Sequence, residues 1–153
     1  MSNIKSEDLG FRCCFCNKSI ASDNINPCDL SIVTNSDKDK SQQSSQWLFC
    51  HVGCFKATIH PEMIGYFVVD DKKRHNKNQE YNLRCDSEQP YEYMCYLCYQ
   101  GIESTDVDPC NVNLMSNIDK DAHERYNQTF YFHANCFKAP LHEYMRGWFV
   151  FAD

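Results

Sequence analysis

The chain contains 153 residues, of which eleven are cysteine, and its formal net charge is −6. An odd number of cysteines without a hydrophobic leader argues against an exported disulfide framework, so we expect a cytoplasmic protein with reduced thiols. No run approaches the roughly 18 apolar residues of a membrane span, and we therefore expect no membrane partner.

The sequence repeats itself at a constant offset of 82 residues, as the step from Cys13 to Cys95 shows. Copies of about 60 residues bury only about 60% of the surface that the unfolded chain exposes, so a disulfide, a metal or a partner usually has to supplement the core. The repeat therefore predicts two zinc-stabilised modules. The predicted division is a polar lead at 1–10, module one at 11–70, a polar connector at 71–90 and module two at 91–153.

Each copy is predicted to contain the same elements in the same order. A tight turn, the zinc knuckle, is indicated where two cysteines stand three positions apart. Alternating apolar and polar residues then predict two strands that form a hairpin with a long polar loop. A short helix ending near a proline and a last strand follow. The two hairpin strands, the helix and the last strand are predicted at 28–34, 46–49, 51–60 and 65–69 in the first copy. In the second copy they are predicted at 110–115, 128–132, 133–139 and 147–151.

Knuckle, hairpin and helix in this order are typical of a treble-clef zinc finger, which predicts a small α+β, metal-stabilised fold with two tandem treble-clef-like modules. A His and a Cys three apart at the start of a helix share one face and can turn toward an ion held by the knuckle. Four protein ligands close a tetrahedral site, which is typical of structural zinc, because catalytic zinc keeps one position for water. We therefore expect two structural Zn²⁺ ions per chain. The predicted ligands are Cys13, Cys16, His51 and Cys54 in the first copy and Cys95, Cys98, His133 and Cys136 in the second.

The remaining cysteines leave one alternative open. Cys28 and Cys110 recur, and each follows a proline. Either residue replaces the histidine as a fourth ligand, or it is a buried thiol at the start of the hairpin, which we prefer. The cysteines without a counterpart in the other copy are expected to be incidental; they are Cys14, Cys50 and Cys85.

Other recurrent residues have simpler expected roles. His60 and His142 are expected to be capping or surface residues rather than ligands. The charged loops at 35–39 and 117–121 are expected to be solvated. Most aromatic side chains should pack in the core, and Phe55 and Phe137, which directly follow a helical cysteine, are the clearest cases.

The stretches WLFCHVGCFKA and FYFHANCFKA place aromatic residues before H-x2-C-F-K, downstream of C-x2-C. In this pattern the chain resembles the zinc finger of the poly(ADP-ribose) polymerase type and, more loosely, the LIM-type finger. The resemblance implies a Cys-Cys-His-Cys ligand order, a treble-clef-like core and, for tandem copies, binding to DNA breaks. Here the gap before the histidine is longer than is usual in that family, and basic residues that would contact phosphates are missing. The ligand order therefore carries over, whereas the DNA-binding role does not.

Charge and motifs decide among the remaining functions. Residues 91–153 contain nine acidic and four basic residues, whereas non-specific affinity for nucleic acid comes mainly from phosphate contacts. A Gly-rich phosphate loop, a paired-carboxylate motif and a nucleophile elbow are all missing, so we expect no enzyme activity. We expect a non-catalytic zinc-binding protein that acts as a protein-interaction adaptor or inhibitor, including in bacterial immunity or defence. The alternative is binding to DNA breaks or single strands through the basic stretch at 72–77.

Overall fold

A computed structural model describes residues 11–70, 93–105 and 107–147. Its centre is a four-stranded antiparallel sheet in the order β2-β1-β3-β4. The strands are Cys28–Val33 (β1), Ser45–Cys50 (β2), Cys110–Met115 (β3) and Asn127–Phe132 (β4). Side chains alternate between buried and partly exposed along β1 and β3, because one face of the sheet carries the core. The predicted mixture of α and β elements and both predicted hairpins are confirmed.

The two copies meet through the pairing of β1 with β3. At the middle of this pairing Ser31 lies opposite Asn113, and these two residues are equivalent positions of the repeat. An approximate twofold axis therefore passes between them. The strands of both copies form one continuous sheet, so the copies are not separate domains joined only by a linker.

Besides the 3-10 helix at Pro61–Tyr66, the described residues form five short helical segments. Helices α1, α2 and α3 follow the hairpins, and two single 3-10 turns lie within the hairpin loops. Their bounds are Val52–Lys56 (α1), Ala134–Lys138 (α2) and Glu143–Arg146 (α3), with 3-10 turns at Lys40–Gln42 and Ala122–Glu124. Among the described residues no helix combines the length and apolar character needed to cross a bilayer.

The prediction of a last strand at 65–69 is wrong. A 3-10 helix occupies Pro61–Tyr66, and the residues after it join no strand. Instead, the side chain of Gln128 on β4 accepts hydrogen bonds from the backbone N–H groups of Val68 (3.0 Å) and Val69 (3.1 Å) and donates one to the carbonyl of Tyr66 (2.5 Å). One amide side chain thus satisfies backbone groups that a neighbouring strand would otherwise pair.

Several predictions fall on residues outside the described ranges. They are the lead at 1–10, the connector at 71–90 with its basic stretch, Cys85, and the last strand of the second copy beyond Gly147.

Aromatic rings from both copies form a common core. Phe55 on α1 packs edge-on against Phe130 on β4, with 5.2 Å between ring centroids, and lies 6.3 Å from Phe137 on α2. Phe67 stacks on Phe130 at 5.3 Å. All four rings are buried, as expected for Phe55 and Phe137. Each copy therefore completes its core with rings from the other.

The recurrent loops at 35–39 and 117–121 were expected to be solvated, and Asp37, Asp39 and Asp121 are indeed exposed. Other residues of both loops, however, form hydrogen bonds with the backbone of the other copy. The N–H of Asn35 donates to the carbonyl of Val107, and the N–H of Asn117 donates to the carbonyl of Ile25, both at 2.9 Å. These asparagines have φ values of 52° and 53°, in the left-handed region that Asn tolerates better than most residues. Each loop thus forms a backbone hydrogen bond with the other copy.

Candidate metal centres

The four predicted ligands of each copy converge in the structure. In each group, one potential ligand atom per residue lies within 4.8 Å of the others. Two cysteines of each group come from the knuckle, and the His and the remaining Cys come from the N-cap and first turn of α1 or α2. The groups are Cys13, Cys16, His51 and Cys54, and Cys95, Cys98, His133 and Cys136.

The knuckle turns depend on one left-handed residue each. Asn17 and Tyr99, directly after the second cysteine, both have a φ of 59°. The turn is closed by a hydrogen bond from the N–H of Asn17 to the carbonyl of Cys13 (2.8 Å), and by the equivalent bond from Tyr99 to Cys95 (2.9 Å). This tight closure points both cysteine side chains of a knuckle to the same side.

The histidines are held in the orientation that a metal ligand needs. Nε2 of His51 lies 3.2 Å from the carbonyl oxygen of Ser19, and Nε2 of His133 lies 3.2 Å from that of Gly101. A carbonyl accepts only from a protonated nitrogen, so in a neutral ring this contact places the proton on Nε2 and leaves the lone pair of Nδ1 facing the sulfurs. Such outer hydrogen bonds orient histidine ligands at metal sites.

The separations of the ligand atoms fit a tetrahedral ion. Zinc–sulfur and zinc–nitrogen bonds of about 2.3 Å and 2.0–2.1 Å place S and N about 3.6 Å apart at a tetrahedral angle. Nδ1 of His51 lies 3.5 Å from Sγ of Cys16 and 3.7 Å from Sγ of Cys54. The matching distances from Nδ1 of His133 are 3.4 Å to Sγ of Cys98 and 3.6 Å to Sγ of Cys136. These four nitrogen–sulfur distances therefore match the spacing that a tetrahedral zinc ion requires.

The electrostatics of the clusters also call for a cation. Burial, followed by the charge of Cys13, raises the pKa of the Cys54 thiol to about 12. In the second cluster, a hydrogen bond from Cys136 lowers the pKa of Cys95 to about 4, and the same bond raises the pKa of Cys136. Thiolates this close repel one another, so deprotonating a whole set requires a divalent ion at its centre.

The structure adds two residues that the sequence reasoning missed. Oδ1 of Asn26 accepts a hydrogen bond from the N–H of Val52, the first residue of α1, and Oδ1 of Asp108 accepts from that of Ala134, the first residue of α2, both at 2.8 Å. Each thereby fixes the start of the helix that carries two ligands. The available signal was a side-chain acceptor directly before the recurrent Pro27 and Pro109, where the peptide bonds are cis.

Cys28 and Cys110 do not belong to either cluster. Both are buried at the start of a hairpin strand, and their thiols donate to the carbonyls of Ile25 (3.3 Å) and Val107 (3.1 Å). Burial raises the pKa of both thiols to about 12, which keeps them neutral. The preferred interpretation, a buried thiol, agrees with this geometry.

His60 and His142 also lie outside the Cys-His clusters. Nδ1 of His60 accepts from the N–H of Glu62, and Nδ1 of His142 accepts from that of Tyr144, both at 3.1 Å. They therefore cap the N-termini of the short helices that follow. A capping role was expected, but at the end of the preceding helix.

Comparisons with protein-family models, curated proteins and solved structures return no match for this chain. The resemblance to fingers of the poly(ADP-ribose) polymerase type or LIM type therefore stays a prediction based on the ligand order. Fold and site together define a small mixed α and β protein with a four-stranded antiparallel sheet and two Cys-Cys-His-Cys clusters that could bind zinc.

Proposed function

We propose that this chain is a non-catalytic zinc-binding protein whose paired modules form a protein-interaction unit. The observation that supports zinc most directly is the convergence of three sulfurs and one oriented imidazole within 4.8 Å in each cluster, with two nitrogen–sulfur distances of 3.4–3.7 Å per cluster. Bound zinc would tie the knuckle of each copy to the start of its helix and contribute folding free energy. The order knuckle, hairpin and helix supports a treble-clef description of each module.

A structural role for the metal is favoured over a catalytic one. Four protein donors saturate a tetrahedral ion, whereas catalytic zinc uses three protein ligands and a water. The carbonyl groups of Ser19 and Gly101 hold the two imidazoles in place, so the histidines are fixed ligands rather than movable ones.

A protein partner is favoured by exposed aromatic residues beside an edge strand. Trp47 on β2 is 69% exposed and Tyr144 on α3 is 63% exposed. With Leu48 and Met145 they line a groove of about 350 Å³. Large exposed aromatic residues are enriched at protein interfaces, and β2 lies at the edge of the sheet. We therefore place the interaction surface at this groove.

Binding to nucleic acid is the alternative, and the charges of the described residues weigh against it. Lys56 pairs with Asp70 at 2.9 Å. The ammonium groups of Lys38 and Lys120 contact backbone carbonyls of the opposite copy. These three cations are held by groups of the protein itself and are less available to phosphates.

Metal content is the first test. We expect native mass spectrometry of the purified full-length protein to find two zinc ions per chain. A protein that contains no zinc, or a zinc that spectroscopy shows with three protein ligands and a water, would contradict the proposal.

The partner is tested by capture from an extract of the native host with the full-length chain. A Trp47→Ser/Tyr144→Ser variant should lose the captured protein, whereas Tyr66→Ser, which changes an aromatic residue outside the groove, should retain it. A parallel titration with nicked and single-stranded DNA at low salt should show no binding. Salt-sensitive DNA binding that survives the groove variant would favour the alternative.

A further inference from the structure

The ammonium group of Lys38 forms hydrogen bonds with the other copy, mainly with backbone carbonyl groups. Its Nζ donates to the carbonyl of Thr105 (2.7 Å), to Oγ of Ser104 (2.9 Å) and to the carbonyl of Asp108 (3.3 Å). The Lys38 side chain is 25% exposed, so the charge is largely withdrawn from water. In its own loop Nζ also lies 3.1 Å from Oδ1 of Asn35 and 3.1 Å from Oδ1 of Asp37. The ammonium group therefore ties its own loop to the backbone of the other copy through charge-assisted hydrogen bonds.

The segment that Lys38 holds sets the start of α2. The N–H of Asp108 donates to Oγ1 of Thr105 at 2.9 Å, which fixes the backbone of that residue. Its side chain in turn accepts the first N–H of α2, at Ala134. The N-cap and first turn of this helix provide His133 and Cys136. A chain of contacts therefore runs from a loop of the first copy to the metal cluster of the second.

The repeat provides the same connection in the opposite direction. Nζ of Lys120 donates to Oγ of Ser22 (3.1 Å) and to the carbonyl of Asn26 (3.4 Å). The Asn26 side chain accepts from Val52 at the start of α1. This reverse connection has two cross-copy acceptors rather than three, and its bonds are longer.

We propose that Lys38 is a positioning residue for the second metal cluster and Lys120 is a positioning residue for the first. This inference rests on the proposed zinc binding and adds that each copy prepares the site of its partner copy. The lysines touch no metal ligand in these contacts; they act through Asp108 and Asn26. Because the acceptors of Lys38 are more numerous and closer, its effect is the larger one.

The test measures the two sites separately in the full-length protein. Zinc is buffered with a competing chelator, and loading of each site is followed through the ring nitrogens of His51 and His133 in ¹⁵N-histidine NMR spectra. The quantity compared is the ratio of the free zinc concentrations that half-load the His133 site and the His51 site. A change that merely destabilises the fold moves both concentrations together and leaves this ratio unchanged.

We expect Lys38→Met to raise this ratio about tenfold, the equivalent of about one charge-assisted hydrogen bond. Lys120→Met should lower it by a smaller factor, about threefold. Lys38→Arg keeps the charge and several donors and should restore most of the wild-type ratio. The matched control is Lys40→Met, since Lys40 is an exposed lysine of the same loop.

Two results would overturn the inference. They are a ratio unchanged by Lys38→Met, and a ratio that moves in the same direction in the Lys38→Met and Lys120→Met variants. If Lys38→Met does not fold, Lys120→Met decides: a ratio that this variant leaves unchanged or raises overturns the inference. A wild-type protein that loads no zinc at either histidine would instead refute the proposed function, so the two failures are distinguishable.

Discussion

Gln128 connects the two copies through a single buried side chain, and its removal is the most direct probe of the fold. Gln128 is 5% exposed and accepts hydrogen bonds from the N–H groups of Val68 and Val69. These two valines are 1% and 0% exposed. Gln128→Ala therefore leaves two buried donors without an acceptor. Each unsatisfied group costs about 1–3 kcal/mol, so we expect a loss of about 2–6 kcal/mol of unfolding free energy. This is a large share of the roughly 5–15 kcal/mol of a typical domain.

The assay is equilibrium unfolding in guanidinium chloride at fixed free zinc, followed by far-ultraviolet circular dichroism. Gln128→Glu should also lose stability, because a carboxylate still accepts from both N–H groups but places an acceptor oxygen and a buried charge against the carbonyl of Tyr66. The matched control is Gln42→Ala, an exposed glutamine expected to change stability by less than about 0.5 kcal/mol. If Gln128→Ala behaved like Gln42→Ala, the amide side chain would not replace a strand as we describe.

Three further predictions concern the metal clusters, the core and pH. Cys98→Ser should bind one zinc per chain by mass spectrometry and lower the midpoint of a single unfolding transition, because β1 and β3 share the sheet; two separated transitions would show that the modules unfold independently. Phe130→Ala should cost about 3–5 kcal/mol in the same denaturation assay, since this buried ring contacts Phe55, Phe67 and Tyr96, and a cost below about 1 kcal/mol would contradict a shared core. Burial raises the pKa of Asp23, but hydrogen bonds from the N–H groups of Asn26 and Ile25 outweigh it and lower the pKa. Its stabilising contribution is therefore present above the unfolded value of about 3.9 and is lost as the pH falls through the lower folded value; a carboxyl ¹³C titration that places the pKa at or above 3.9 would refute this.

The repeat made the metal ligands predictable because their information is local. A C-x2-C turn and an H-x2-C helical face are set by short spacings, and comparison of the two copies separated Cys13 from Cys14 and His51 from Cys50. The hairpins were predictable for the same reason, since alternation along a strand reports its buried face. The helix-capping roles of Asn26 and Asp108 were accessible in principle from their place before the recurrent prolines.

The tertiary structure alone decided how the copies combine. Gln128 binds the backbone near Val68, 60 positions away, and Lys38 reaches Asp108 across 70 positions. No periodicity or spacing signals such a contact, because it depends on which strand edges meet. For this reason the segment at 65–69 had the composition of a strand but is bound by a side chain, and loops expected only to be solvated also form hydrogen bonds with the other copy. The sequence by itself determined two Cys-Cys-His-Cys groups that could bind zinc. The pairing of β1 with β3 joined the two copies in one sheet, since backbone hydrogen bonding between distant strands is a property of the assembled sheet.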